Sequence, residues 1–199
     1  MKNVILLGFL AAAVSSVSGC ALTSKSDIMA VRWFNPEAPR TTITSAGTAS
    51  ANSALSLELG RVTSGINLRD KIAYRDTAYE MGFYDDKRWT ERPEVYVRRE
   101  LARTLFEEHG VHRALAGQAP TLDVEVLAFE EIRGDAPAAR ITLRVVLHDD
   151  VRAILEKTIS VDRPATSKTI DGFVQAMAQA LDTAAEQVAH EAEVAATKS

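Results

Sequence analysis

Apolar and polar positions along the chain fall into blocks of two different periods. Leu55, Leu57 and Leu59 alternate with Ser56 and Glu58, the period-two mark of a strand with one buried face. A turn around Gly65 and Asn67 follows. Residues 71–75 and 79–84 read as two short strands with a tight connection, a hairpin ended by Asp85 and Asp86. The period then changes. Val97, Leu101 and Leu105 recur every four residues and form the apolar stripe of a helix. Thr90 can cap that helix, and Pro93 sits in its first turn, where a missing N–H costs little. Arg98, Arg99 and Glu100 are expected to face water, and Gly110 is a C-terminal stop.

Alternation returns in Leu122, Val124 and Val126, again in Ile141, Leu143, Val145 and Leu147, and once more over 155–161, with Ile159 and Val161 inward. Breaks at 134–137 and at Asp149-Asp150 make these three strands an antiparallel meander with one polar face. From about Thr169, the residues Phe173, Val174, Met177, Leu181, Ala184 and Val188 repeat at three- and four-residue spacing. They predict a long amphipathic helix with a narrow seam, whose alanine-rich end either packs closely or frays. Each helix needs a sheet face for its stripe. The predicted fold is therefore α+β: a two-layer sandwich of a mixed, mainly antiparallel sheet of five or six strands with two helices on one face. The other face would carry Asp123, Glu125, Arg140, Thr142 and Arg144.

The N-terminus has its own pattern. Lys2 precedes an apolar run over 4–14, and small residues lead into Val17-Ser18-Gly19-Cys20. This order resembles a bacterial lipoprotein signal, in which small side chains admit the chain to a membrane peptidase and the thiol accepts lipid. The run is shorter than the ~20 apolar residues of a membrane span. A plain secretory signal cut near Ala21 is the alternative and would leave no anchor. The lipoprotein reading divides the chain into a leader (1–19), an acylated N-terminus and flexible tether (20–53), and a folded domain (54–199). Several acyl chains hold firmly at ~0.8 kcal/mol per buried methylene. Ala21, where retained Gram-negative lipoproteins commonly have Asp, favours the outer membrane, with the body in the periplasm.

Residues 41–53 are nearly all Thr, Ser, Ala, Gly and Asn, too poor in large apolar groups to offset the entropy of ordering. A flexible run of ~30 residues would reach roughly 30 Å. Val31-Arg32-Trp33-Phe34 interrupts it. Either this segment packs on the domain as an edge strand or latch, or it docks a partner or a membrane interface, where Trp is favoured.

Hydrophobic residues make up 46% of the chain and charged residues 25%, enough for an ordinary core. Lys and Arg number 23 against 27 Asp and Glu, and loss of Lys2 with the leader tips the balance further. That sign excludes a nucleic-acid footprint. The single cysteine, committed to lipid, leaves no disulfide.

No catalytic set emerges. The histidines are His109, His112, His148 and His190, and no three ligands share a zinc spacing. His148-Asp149-Asp150 reads as a solvated hairpin end, and Glu130-Glu131 as a solvent-exposed strand end. No nucleophile elbow or phosphate-cradling loop is present. The expectation is no catalytic residue, cofactor or metal; an anchored hydrolase using His148 and Asp149 is the enzymatic alternative. Tyr74-Arg75, Tyr84 and Arg88-Trp89 are residue types that anchor interfaces. With Trp33 and Phe34 they form the candidate partner contacts. The packing alternative is that Trp89 plugs the helix onto the sheet while Arg88 pairs with Asp85 or Asp86.

The order Ile72-Ala73-Tyr74-Arg75, Tyr84, Arg88-Trp89, Pro93, then Val97, Leu101 and Leu105 resembles the ABC-type transport auxiliary lipoprotein family. So do the Leu147-His148-Asp149 turn, Leu155 and Ile159 in the next strand, and the long terminal helix. The resemblance covers most of 54–191 and includes the lipidation box. It implies a non-enzymatic outer-membrane lipoprotein. Its partners would be periplasmic mammalian-cell-entry (MCE) domain proteins and an inner-membrane ABC transporter that together move phospholipid or other apolar cargo between membranes. A homo-oligomeric ring stacked on such a tunnel is compatible with that role. The alternative function is an outer-membrane lipoprotein acting in envelope assembly or as activator of a cell-wall synthase.

Overall fold

The computed structural model describes residues 30–37 and 55–198. The leader, Cys20 and the polar stretch 41–53 lie outside the described residues. In chain order the elements are β1 (Arg32–Phe34), β2 (Ser56–Ser64), β3 (Lys71–Arg75), β4 (Met81–Trp89), α1 (Pro93–Arg103), a π-helical turn (Thr104–Glu108), β5 (His112–Arg113), β6 (Thr121–Ile132), β7 (Ala138–His148), β8 (Ala153–Pro164) and α2 (Ile170–Ala196).

The meander forms as its alternation requires. β6 pairs antiparallel with β7 along its whole length, and β7 does the same with β8. Asp149 closes the second turn: its Oδ1 accepts the Val151 and Arg152 amides, both at 2.8 Å. Those two N–H groups hold its carboxyl below the usual carboxylate range. The free edge of β6 is shared by two strands laid end to end. β2 runs parallel to its first half, from Glu58 opposite Thr121 to Ser64 opposite Val126. β3 runs parallel to its last residues, from Ala73 opposite Glu130 to Arg75 opposite Ile132. β4 returns antiparallel to β3, β1 adds parallel to β4, and β5 adds parallel to β2.

The sheet thus has eight strands among the described residues, not five or six. The two additions are three and two residues long, too short to show a period in sequence. β1 also falls inside the stretch read as tether, where it bears out the edge-strand reading of Val31-Arg32-Trp33-Phe34. β4 does not end at Asp85-Asp86 but runs on to Trp89. Lys71 lies 3.9 Å from Asp85 and Lys87 3.1 Å from Asp86, which compensates both acids.

Both helices cover one face and touch each other, α1 over β2 and β6, α2 over β7 and β8. Leu122, Val124, Val126, Ile141, Leu143, Val145 and Leu147 point into that layer and are buried. The helix stripes meet them: Val97 and Leu101 from α1, Leu105 from the π-helical turn that continues it, and Phe173, Met177, Leu181, Ala184 and Val188 from α2, all at most 3% exposed. The alanine-rich end of α2 packs closely, since Ala185, Ala189 and Ala192 are buried too. Thr169 caps α2 by accepting the Gly172 amide at 3.3 Å. Thr90 does not cap α1; its hydroxyl bonds Tyr96 Oη at 2.7 Å, and the helix opens on Pro93 behind an extended Arg92. Glu100 is buried rather than facing water, paired with Arg103. Gly110 ends the helical segment with φ of 66°.

The opposite face carries a ladder of charge and hydroxyl pairs. Arg140 meets Asp162 at 2.7 Å, Thr142 meets Ser160 at 2.9 Å, and Arg144 meets Glu156 at 2.6 Å. Among the described residues, no helix is long and apolar enough to cross a membrane.

Candidate docking surface

A bulge in β6 positions the densest polar–aromatic cluster. Register shifts between Val126 and Ala128, leaving Leu127 as the extra residue, 44% exposed. One added residue inverts the parity of the rest of the strand, so Phe129 continues the buried face. Glu131, two residues on, shares that side with Tyr74, its partner on β3. Across the hairpin, Gly82 opposes Tyr74. A Cβ at Gly82 would stand inside the Tyr74 ring, so glycine is what lets that ring lie flat over β4. Tyr84, two residues further, meets Tyr74 edge to face with ring centres 5.1 Å apart.

Arg133 completes the cluster from just beyond β6. Its amide donates to the Arg75 carbonyl at 2.9 Å. Its guanidinium carbon stands 3.3 Å from the Tyr74 ring centre and 4.6 Å from that of Tyr84, with Asp76 and Glu131 at 3.6 and 3.7 Å. Lys87 adds a second cation 3.9 Å from the Tyr84 ring centre. Tyr84 Oη donates to Glu131 Oε2 at 2.6 Å. Burial, then that bond to a carboxylate, pushes the Tyr84 phenol up to about 12. Alongside, Arg75 grips Glu130 at two points, 2.8 and 3.0 Å.

Glu130 and Glu131 are therefore not a solvent-exposed strand end. They are 1% and 5% exposed, and their charge is balanced from outside β6 by Arg75 and Arg133. Chemically the cluster presents two tyrosine rings, one guanidinium and an ammonium in fixed geometry, while the Arg75–Glu130 pair lies on the other face of the sheet, where Arg140 stands opposite Glu130 on β7. Such pre-ordered aromatic and arginine groups are what interface anchors are made of, and cation–π contacts hold their orientation.

The other candidate residues separate. Arg88 folds back, giving Nη1 to the Tyr84 and Lys87 carbonyls at 2.9 Å each, with Nε 3.6 Å from Asp70. Its acidic partner is thus Asp70, not Asp85 or Asp86. Trp89 leaves the contact set altogether. It is 0% exposed, ringed by Phe129 at 5.3 Å, Phe173 at 5.8 Å and Tyr96 at 6.3 Å. It plugs α1 and α2 onto the sheet and has no surface to offer. Trp33 and Phe34 lie across β4 beside Arg88 and Trp89, on the sheet's edge. Phe34 is half-buried against the core, with Arg32 4.9 Å from its ring centre, while Trp33 is 58% exposed. His148 sits at the hairpin end, its Nε2 3.5 Å from Asp123. Among the described residues, no three His, Cys, Asp or Glu side chains are grouped to hold a metal ion.

Sequence reasoning singled out Tyr74, Arg75 and Tyr84 but missed Arg133, Lys87 and the two buried glutamates. The available signal was the lapse of alternation at Leu127-Ala128-Phe129, which marks a bulge.

The model of the ABC-type transport auxiliary lipoprotein component family matches residues 38–189, which includes every member of this cluster and excludes β1. No curated protein matches the chain. Among solved structures, the chain is similar to a Xanthomonas campestris protein of family DUF330, at 19% identity and a TM-score of 0.69, covering 84% of this chain and 98% of that one. It is also similar to an uncharacterized protein at 18% identity and a TM-score of 0.62, covering 69% and 92%. A hypothetical protein of Chlamydia trachomatis aligns at 11% identity and a TM-score of 0.51, covering 73% and 99%. At these identities the likeness is one of fold.

Proposed function

The chain belongs to the ABC-type transport auxiliary lipoprotein component family, and from that premise we propose that it is a non-enzymatic, outer-membrane lipoprotein subunit of an MCE-type envelope transport system. In this reading Cys20 is acylated and fixes the chain to the periplasmic face of the outer membrane. The sheet-and-helix body docks MCE-domain proteins in the periplasm, which link it to an ABC transporter at the inner membrane. The cargo is phospholipid or another apolar molecule, and the energy comes from the distant ATPase, so the chain itself needs no cofactor.

The observation that carries this reading is the Tyr74–Tyr84–Arg133 cluster. It lies inside the family match and pairs rigid aromatic groups with cations. It is suited to gripping a protein surface. The test is affinity capture of the full chain, solubilised in detergent from the native envelope. Co-purification of MCE-domain proteins, reduced by Tyr74→Ala with Arg133→Ala in a chain that still folds, is the expected result. Capture of cell-wall synthases in their place would overturn the proposal.

A further inference from the structure

We infer that the β1 edge of the body rests on the bilayer that anchors the chain, with Val31 and Trp33 in its headgroup layer. This rests on the reading that Cys20 carries lipid.

β1 is held firmly. Its three residues pair with Lys87, Arg88 and Trp89, the Thr90 amide donates to the Phe34 carbonyl at 2.9 Å, and Glu37 is paired with Arg99. On an extended segment side chains alternate, so Phe34 and Arg32 share one side and Trp33 and Val31 the other. Phe34 occupies the place against the core. Trp33 therefore cannot turn inward, and it stays 58% exposed beside Val31 at 45%. An indole fixed in that way has an apolar body and a donor tip, the combination favoured at a membrane–water interface.

Chain length decides what surface it meets. Val31 follows Cys20 by 11 positions, and at ~3.5 Å per residue that stretch spans at most about 38 Å in any conformation. A domain of this size is itself roughly 40 Å across. The expected reach therefore belongs to 11 residues, not to the whole of 20–53, because β1 returns the chain to the body. Its β1 edge is then the part nearest the lipid. Confinement so close makes weak contacts effective, because the second binding event is intramolecular. The neighbouring charges are nearly balanced: Lys71, Lys87 and Arg88 face Asp85, Asp86 and Asp70, and Arg32, held over Phe34, adds a single cation that Asp86 also feels. The contact should therefore need no anionic lipid and resist salt.

The protein carries its own reporter. It has two tryptophans, and Trp89 is sealed in the core. The acylated full chain is reconstituted into phosphatidylcholine vesicles, with and without lipid brominated near the headgroup end of its acyl chains. The expected result is a blue shift and bromine quenching of the exposed indole. Both should persist at high salt and be lost in Trp33→Phe, in which unquenched Trp89 emission reports that the fold is intact. If the protein floats with the vesicles while Trp33 stays water-like, this inference is overturned and the anchor stands. If it does not float, the anchor and the inference fall together.

Discussion

Arg75 and Glu130 close a two-point ion pair between β3 and β6, with Nε and Nη2 donating at 2.8 and 3.0 Å to a carboxylate that is 1% exposed. A carboxylate so buried depends on its partner. Arg75→Ala should cost about 3 kcal/mol, the low end for breaking a buried pair, because Arg140 still faces Glu130 from β7. Arg75→Met with Glu130→Gln should recover most of that loss, since no charge is then stranded. Urea unfolding of the wild type, the single and the double variant measures both.

Gly82 is a second pressure point. A methyl group there enters the Tyr74 ring, which cannot simply swing away because Tyr84 and Arg133 bracket it. Gly82→Ala should cost about 1–3 kcal/mol, as for other overpacked sites. It should also lower retention of an MCE-domain partner beyond what the stability loss explains. Comparing capture at temperatures well below each melting point separates the two effects.

The meander, the β3–β4 hairpin and both helices were legible because each buries one face and so imprints a period on its residues. The docking cluster was only half legible. Two adjacent acids in one strand look like a solvated end, and the cation that offsets Glu130 stands 55 positions earlier in the chain. No local pattern reports a pairing of that range. Arg133 follows a strand with no periodicity of its own, and its place over Tyr74 depends on the parity change at Leu127. Trp89 left two readings open for the opposite reason: composition marks it as an interface residue, whereas its ring and those of Tyr96, Phe129 and Phe173, converging from β4, α1, β6 and α2, bear out the packing reading.

Tyr84 should ionise well after an ordinary tyrosine. Its phenol is raised to about 12 by burial and by the bond to Glu131, against roughly 10 in the unfolded chain. The neutral phenol is thus the form the fold prefers. Its stabilising effect is full below about pH 10 and is lost as pH rises through the folded value. Absorbance titration of the phenolate band should show a late component. Glu131→Gln should move that component towards 10; a titration unchanged by that substitution would count against the hydrogen bond as a cause.

His109 links the end of the first helical segment to α2, and its contribution should run the other way with pH from that of a carboxylate. Nε2 lies 2.9 Å from Glu186 and Nδ1 3.0 Å from Glu193. Those glutamates sit two turns apart on one side of the helix. A neutral imidazole can donate from only one nitrogen, so both contacts are made together only by the imidazolium. Burial alone would lower the His109 pKa, but the two carboxylates outweigh it and the net shift is upward. A folded value above the unfolded ~6.5 means the link is fully present below about pH 6.5 and fades as pH climbs through the folded value. The ring is partly exposed, which screens the pair and limits its worth to about 1 kcal/mol or less. His109→Gln should therefore lower the melting temperature most at pH 6, with the gap from wild type narrowing by pH 9. A gap that widened with pH would mean that neutral His109, not the imidazolium, supports α2.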